Sequence, residues 1–278
     1  MTSRRSSRLA VSSASGLTSR CSIWSPAGSS TRSFFVVSQN TMYELPEAGG
    51  EPTQVYSAPG LDLEGVAFDP AVPDRIIVAH EKSPSGLYSF NLTTSDLERY
   101  MDFDRVPGIE KLKPEALSFC PEAVCGTGLH FVVAGAGAKV YVIRAEPDAD
   151  HNQLYQGTLV QKFDTTDVLC SLAGRCDHDV KITKLSGLSV AGDAINVIND
   201  DDTRELWVFK VSATSGKKVL TSAEIYPLPN VPGWEGISVR EAPDGSVSVV
   251  LASDDMGFVS EFKLTSQGLT SRCSPLMR

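Results

Sequence analysis

The chain reads as a succession of short apolar runs cut by Gly, Pro, Asn and Asp. No window of 11 or more residues carries the i, i+3, i+4, i+7 apolar spacing of an amphipathic helix. The stretch from Leu61 to Leu92 sets the pattern. Leu63-Glu64-Gly65-Val66-Ala67-Phe68 reads as one strand, Pro70 to Asp74 as a turn, Arg75 to His80 as a second strand and Gly86 to Leu92 as a third. An outer strand around Leu97 to Met101 completes the unit.

Its parts recur. A unit begins at Lys113-Pro114-Glu115-Ala116-Leu117-Ser118-Phe119 and continues as Leu129 to Ala134, Lys139 to Arg144 and Thr158 to Phe163. Another runs from Lys184-Leu185-Ser186-Gly187-Leu188-Ser189-Val190 through Ala194 to Asn199, Glu205 to Val211 and Lys218 to Ile225. A further one holds Trp234-Glu235-Gly236-Ile237-Ser238-Val239, Ser246 to Ser253 and Phe258 to Leu264, with its outer strand undefined. Ahead of all these, Phe34 to Ser38, Thr41 to Leu45 and Pro52 to Ser57 form a unit without an inner strand. From Gly65, the equivalent positions Ala116, Gly187 and Gly236 follow at 51, 71 and 49 residues. Four short strands at such a period predict an all-β chain folded as a single β-propeller of five blades, each of four antiparallel strands. Strands from both termini are expected to complete the first and last blades.

Composition divides the chain. The first 43 residues hold five Arg, many Ser and no Asp or Glu. Residues 1–33 are therefore expected to be a disordered leader or transit-like tail, 34–264 the propeller, and 265–278 a C-terminal tail or closing strand. A solvated tail or a misplaced start codon fits the same composition. The leader lacks the apolar core of a secretory signal, whereas Arg- and Ser-rich, acid-poor segments are typical of organelle transit peptides. At 278 residues and 41% hydrophobic content, one sizeable core is the simpler reading. A net charge of −9 with the acids scattered argues against a nucleic-acid partner, whose phosphates would need a basic face. No apolar stretch approaches the 18 residues that would span a bilayer.

The six cysteines are Cys21, Cys120, Cys125, Cys170, Cys176 and Cys273. Cys120 and Cys125 bracket one turn and Cys170 and Cys176 another, so two local disulfides are expected, implying an oxidising compartment. With the sequon Asn91-Leu92-Thr93, this favours a secreted or organellar location over the cytoplasm. The heptapeptide GLTSRCS occurs at both Gly16 to Ser22 and Gly268 to Ser274. Matching edge strands that bring Cys21 near Cys273, or a duplication in the gene model, would each account for it.

The repeats resemble the SdiA-regulated (YjiK-like) propeller family, which is related to phytase-like propellers. Leu63 to Pro70, Ile77 to Lys82, Gly86-Leu87-Tyr88, Leu185 to Leu188 and Trp234 to Ile237 carry the likeness, over roughly residues 34–264. The resemblance implies a propeller with a calcium ion near its central channel.

The residues argue toward a metal independently. In a hairpin, the start of one strand lies beside the end of the next. Glu64 therefore neighbours His80 and Glu81, Ser186 neighbours Asn199 to Asp202, and Glu235 neighbours Ser253, Asp254 and Asp255. Inner strands of a propeller run the same way, so Glu64, Glu81, Glu115, Asp200, Glu235 and Asp254 are expected on one rim, where a hard cation such as Ca²⁺ would offset their repulsion. Acids solvated at strand ends are the plainer alternative. Lys82, Lys113 and Lys184 share the rim and are candidate binders of a phosphoester, with His80 as candidate general base. Two functions follow: a metal-dependent ester or phosphoester hydrolase, or a non-catalytic binding or scaffold propeller with a structural calcium ion and a protein partner. No P-loop, dinucleotide fingerprint or nucleophile elbow is present.

Overall fold

The computed structural model describes the chain apart from residues 1–19, 25–32, 47–50, 70–71, 110, 136, 150–153, 177–184, 200–203, 215–216, 254, 256 and 272–278. Twenty strands form five antiparallel sheets of four. Blade one is β1 (Arg20–Trp24), β2 (Ser33–Ser38), β3 (Thr41–Pro46) and β4 (Thr53–Ser57). Blade two is β5 (Leu63–Phe68), β6 (Arg75–His80), β7 (Gly86–Asn91) and β8 (Leu97–Asp102). Blade three is β9 (Pro114–Cys120), β10 (Leu129–Gly135), β11 (Lys139–Pro147) and β12 (Tyr155–Asp164). Blade four is β13 (Gly187–Ala191), β14 (Ala194–Asn199), β15 (Glu205–Thr214) and β16 (Lys217–Pro227). Blade five is β17 (Trp234–Glu241), β18 (Val247–Ser253), β19 (Phe258–Thr265) and β20 (Gly268–Ser271). Each inner strand packs against the next in the order β1, β5, β9, β13, β17 and back to β1, which closes the ring. The fold is the five-bladed propeller expected from the repeats.

The second strand of each blade explains why the repeats are so apolar. It is buried on both faces and sends alternate side chains into two seams. In β10, Phe131 and Val133 enter the seam with blade two, and Val132 and Ala134 the seam with blade four. In β6, Ile77 and Ala79 face blade three while Ile76 and Val78 face blade one. In β18, Val249 and Leu251 face blade four, and Val250 and Ala252 meet Phe34 and Val36 of blade one. That last seam closes the ring by side-chain packing, since among the described residues blades one and five share no sheet. Each fully buried Val, Ile or Phe contributes about 1.5–3 kcal/mol, and five such seams replace one central core.

Strands near both ends of the described chain complete the first and last blades, as the repeats required. Arg20–Trp24, assigned from composition to the leader, supplies the inner strand missing from blade one, pairing with β2. The outer strand of blade five is Gly268–Ser271, a closing strand inside the expected C-terminal segment. Of the two GLTSRCS copies, Arg20-Cys21-Ser22 of the first opens an inner strand and Gly268 to Ser271 of the second forms an outer one; the remaining residues of both copies lie outside the described residues. Cys273 lies outside the described residues.

The long interval between blades three and four, read as a loop, contains a helix, α2 (Thr165–Ala173), after the single-turn α1 (Glu122–Cys125) in blade three. At nine residues, α2 is too short to show a sustained amphipathic period. Its ends are nonetheless marked. The Asp164 side chain accepts from Thr166 N, and Gly174 closes the helix in the left-handed region at φ 68°. Leu169 buries its inward face in the seam between blades three and four. Both expected disulfides are formed, Cys120–Cys125 across α1 and Cys170–Cys176 at the end of α2.

Candidate metal and anion site

The heads of the inner strands carry a shared irregularity. Leu63 pairs with His80 and Gly65 with Ala79, leaving Glu64 as an extra residue. Pro114 pairs with Gly135 and Ala116 with Ala134, leaving Glu115. Trp234 pairs with Ser253 and Gly236 with Ala252, leaving Glu235. Arg20 pairs with Val37 and Ser22 with Val36, leaving Cys21. In blade four, Ser186 N reaches Ile198 O, although Ile198 is already the partner of Gly187. A β-bulge re-aims one side chain without breaking the ladder beyond it. Here the re-aimed residues are buried: Glu64 is 4% exposed, Glu115 8%, Ser186 1% and Glu235 9%. Sequence reasoning placed these residues at strand heads but contained no signal for the bulge.

Blade two gathers a cluster at this position. Ligand atoms of Asp62, Glu64 and Glu81 all lie within 4.8 Å of one another. The hairpin register accounts for it, since Glu81 N donates to Asp62 O at 2.9 Å and so sets Glu81 beside the residue preceding β5. Glu64 and Glu81 were expected together. Asp62 was missed, though extending the same hairpin pairing past the start of β5 reaches it. Among the described residues, no other three His, Cys, Asp or Glu side chains approach so closely. Glu115 and Glu235 thus occupy equivalent places in their own blades without, among the described residues, joining such a group. Asp200, Asp254 and Lys184 lie outside the described residues.

A cavity of about 710 Å³ opens beside the cluster, lined by Asp62, Glu81, Lys82, Ser83, Ser85, Asp104, Lys111, Leu112 and Lys113. Its lysine side is held by the segment leading from blade two into blade three. Successive turns run from Phe103 O to Val106 N, Val106 O to Ile109 N and Ile109 O to Leu112 N. Phe103, Val106, Ile109 and Leu112 are all buried in the seam, so the segment is pinned at every third residue. Ser85 Oγ donates to Leu112 O at 2.7 Å and ties it to the head of β7. Lys111 and Lys113 are thereby left on the cavity wall.

Acids and lysines pair across this space. Lys113 Nζ donates to Glu81 Oε1 at 2.9 Å, and Lys82 Nζ stands 3.7 Å from Asp62 Oδ2. Both ammonium groups are well exposed, so water screens these pairs. The hydrogen bond to Glu81 raises the Lys113 pKa above its usual value, with its attraction to Glu81 second. His80 sits elsewhere. Its ring is buried, packs edge-on against Tyr88 at 5.3 Å and does not line the cavity. Neither ring nitrogen has a hydrogen bond that meets full geometry among the described residues. Burial holds its pKa below the usual histidine value, offset in part by the Pro84 carbonyl and the Asp62 carboxylate.

The donor set suits calcium. Three carboxylates offer hard oxygens, and oxygens opposed across a Ca²⁺ ion stand about 5 Å apart, since each Ca–O bond is about 2.3–2.6 Å. Because Asp62 and Glu81 also line the cavity, an ion held there would have one side toward open space. A second, more apolar groove of about 430 Å³ lies away from these groups between blades three and four, bordered by Val124, Phe163, Ile195 and Leu220.

No family model and no curated protein matches the chain. Similar solved structures include BBS1N in complex with ARL6DN, at 13% identity and a TM-score of 0.43, covering 87% of this chain and 65% of that one. The Neurospora crassa Pan2 WD40 domain is 10% identical with a TM-score of 0.41, covering 88% of this chain and 64% of that one. The chain thus spans somewhat under two thirds of these structures' own length. What is shown is a five-bladed β-propeller, and the likeness to the SdiA-regulated family stays a resemblance.

Proposed function

We propose that this protein is a calcium-dependent propeller that hydrolyses an ester, with phosphoesters as the favoured substrate class, at the rim of blade two. One observation carries the reading: three carboxylates with ligand atoms within 4.8 Å of one another stand beside an open cavity walled by Lys82, Lys111 and Lys113. Glu64, fixed at its bulge, forms the buried floor of the ion site, while Asp62 and Glu81 form its cavity side. When bound, the ion supplies Lewis acidity to an ester or phosphoryl oxygen and acidifies water. The lysines hold the substrate's negative charge. His80, packed on Tyr88, has no proton-transfer step in this scheme. The two disulfides fit a secreted or organellar setting.

A second reading, a non-catalytic binding or scaffold propeller, draws on the lysine pairs. Asp62 and Glu81 already have cationic partners, so an ion is not the sole way to balance the cluster. Calorimetric calcium titration followed by ester and phosphoester turnover separates the two. Calcium binding with metal-dependent turnover, both lost in Glu64→Gln, supports hydrolysis; binding without turnover selects the scaffold reading. An absence of calcium binding removes the ion from both. Lys113→Gln sharpens the test, because it frees Glu81: calcium affinity should rise several-fold while phosphoester turnover falls.

A further inference from the structure

We propose that Asn91 is a modification site bearing an N-linked glycan on the face of the propeller opposite the acidic rim. Asn91-Leu92-Thr93 is the single Asn-x-Ser/Thr sequon in the chain. It closes β7 at the β7–β8 hairpin, with Asn91, Thr93 and Thr94 all exposed.

The turn presents the acceptor atom. Thr93 N and Thr94 N donate to Asn91 Oδ1 at 2.8 and 3.0 Å, so the carboxamide oxygen is held against the following backbone. Nδ2, the nitrogen that would carry the sugar, makes no hydrogen bond to a described residue. The main chain around it is fixed independently, by Asn91 N to Asp96 O at 2.9 Å, Leu92 N to Asp74 O at 2.9 Å and Ser95 N to Asn91 O at 2.8 Å. A glycan would therefore leave the ladder intact.

Direction along β7 sets the face. Ser85, just ahead of the strand, lines the acidic cavity, and Asn91 ends the strand six residues later. At about 3.3 Å per residue the two are about 20 Å apart, at opposite ends of the blade. The glycan would shield the far face and leave the cluster open. An independent feature supports passage through the compartment where such transfer occurs: four cysteines are joined in two disulfides, as in proteins matured under oxidising conditions. The chemistry is a glycosyl transfer from a lipid-linked oligosaccharyl diphosphate. The bond from Nδ2 to the anomeric carbon forms, the bond from that carbon to the diphosphate oxygen breaks, the lipid diphosphate leaves, and Nδ2 loses one proton to the transferase.

The test is peptide mapping of the full chain purified from the cells that make it. Trypsin releases Ser83–Arg99, which contains the sequon and no internal Lys or Arg. The expected result is a glycopeptide that peptide-N-glycosidase, in heavy-oxygen water, converts to the same peptide with a labelled Asp at position 91. Thr93→Ala keeps both backbone donors to Asn91 Oδ1 and should abolish the modification and its electrophoretic shift, whereas Thr93→Ser should retain both. Recovery of Ser83–Arg99 only at its unmodified mass, or an electrophoretic shift that survives Thr93→Ala, overturns the proposal.

Discussion

Blades two and four share one backbone device at the inner-strand head and put it to different uses. In blade four, Ser186 donates from Oγ to Trp234 O at 2.9 Å and so stitches its blade to blade five. In blade two, Glu64 stands among Asp62 and Glu81 beside an open cavity. A short hydroxyl at a bulge serves the seam, whereas a longer carboxylate flanked by two acids builds a charged floor. The difference lies in the residues bordering the bulge as much as in the bulge residue.

The glycines that follow offer the strongest way to break the comparison. A Cβ on Gly65 would lie 2.5 Å from Leu117 N and 2.8 Å from Leu117 Cβ, across the seam to blade three. On Gly187 it would lie no nearer than 3.1 Å to Glu235 O and the Ile198 and Ile237 side chains. Gly65→Ala should therefore cost about 3 kcal/mol and Gly187→Ala about 1 kcal/mol, read from urea unfolding. Equal costs would mean that the two seams are equally compliant. Next in size is the ion. Glu64→Gln should weaken calcium binding at least about a hundredfold, beyond what outer-shell changes cost, while Ser186→Ala leaves it unchanged. Ser186→Ala should instead lower stability by about 1 kcal/mol through the lost hydrogen bond.

The smallest effect concerns acid. His80 and His130 are buried, and burial lowers both pKa values. The unfolded chain thus takes up protons near the ordinary histidine pKa of about 6.5, where the folded chain does not. Stability is full above that value and declines as pH falls through it toward the lower folded pKa values. Urea midpoints measured at about pH 7.5 and about pH 5.5 should differ, and the double variant His80→Gln, His130→Gln should narrow that difference.

Much of the architecture was legible because the second strand of each blade is apolar on both faces, and stretches such as Ile76 to Ala79 and Val249 to Ala252 announce themselves. β1 was hidden because Arg20-Cys21-Ser22-Ile23-Trp24 is short and follows a Ser- and Arg-rich stretch, so its pairing with β2 is a tertiary choice. Helix α2 is only nine residues long, too short for an apolar period to stand out along the chain. At the site, hairpin pairing brought Glu64 and Glu81 together correctly. Asp62 escaped because it precedes the strand, and the lysine pairs escaped because they span 20 to 32 positions between loops, which no local pattern encodes.

The extra residue at each inner-strand head has an evolutionary corollary. Cys21, Glu64, Glu115, Ser186 and Glu235 are set outside the regular pairing of their strands, so an exchange at these positions leaves the backbone ladder beyond them intact. Five sockets of one mould, each able to take a different fitting, let such a ring acquire or lose chemistry one blade at a time while its strand pairing stays unchanged.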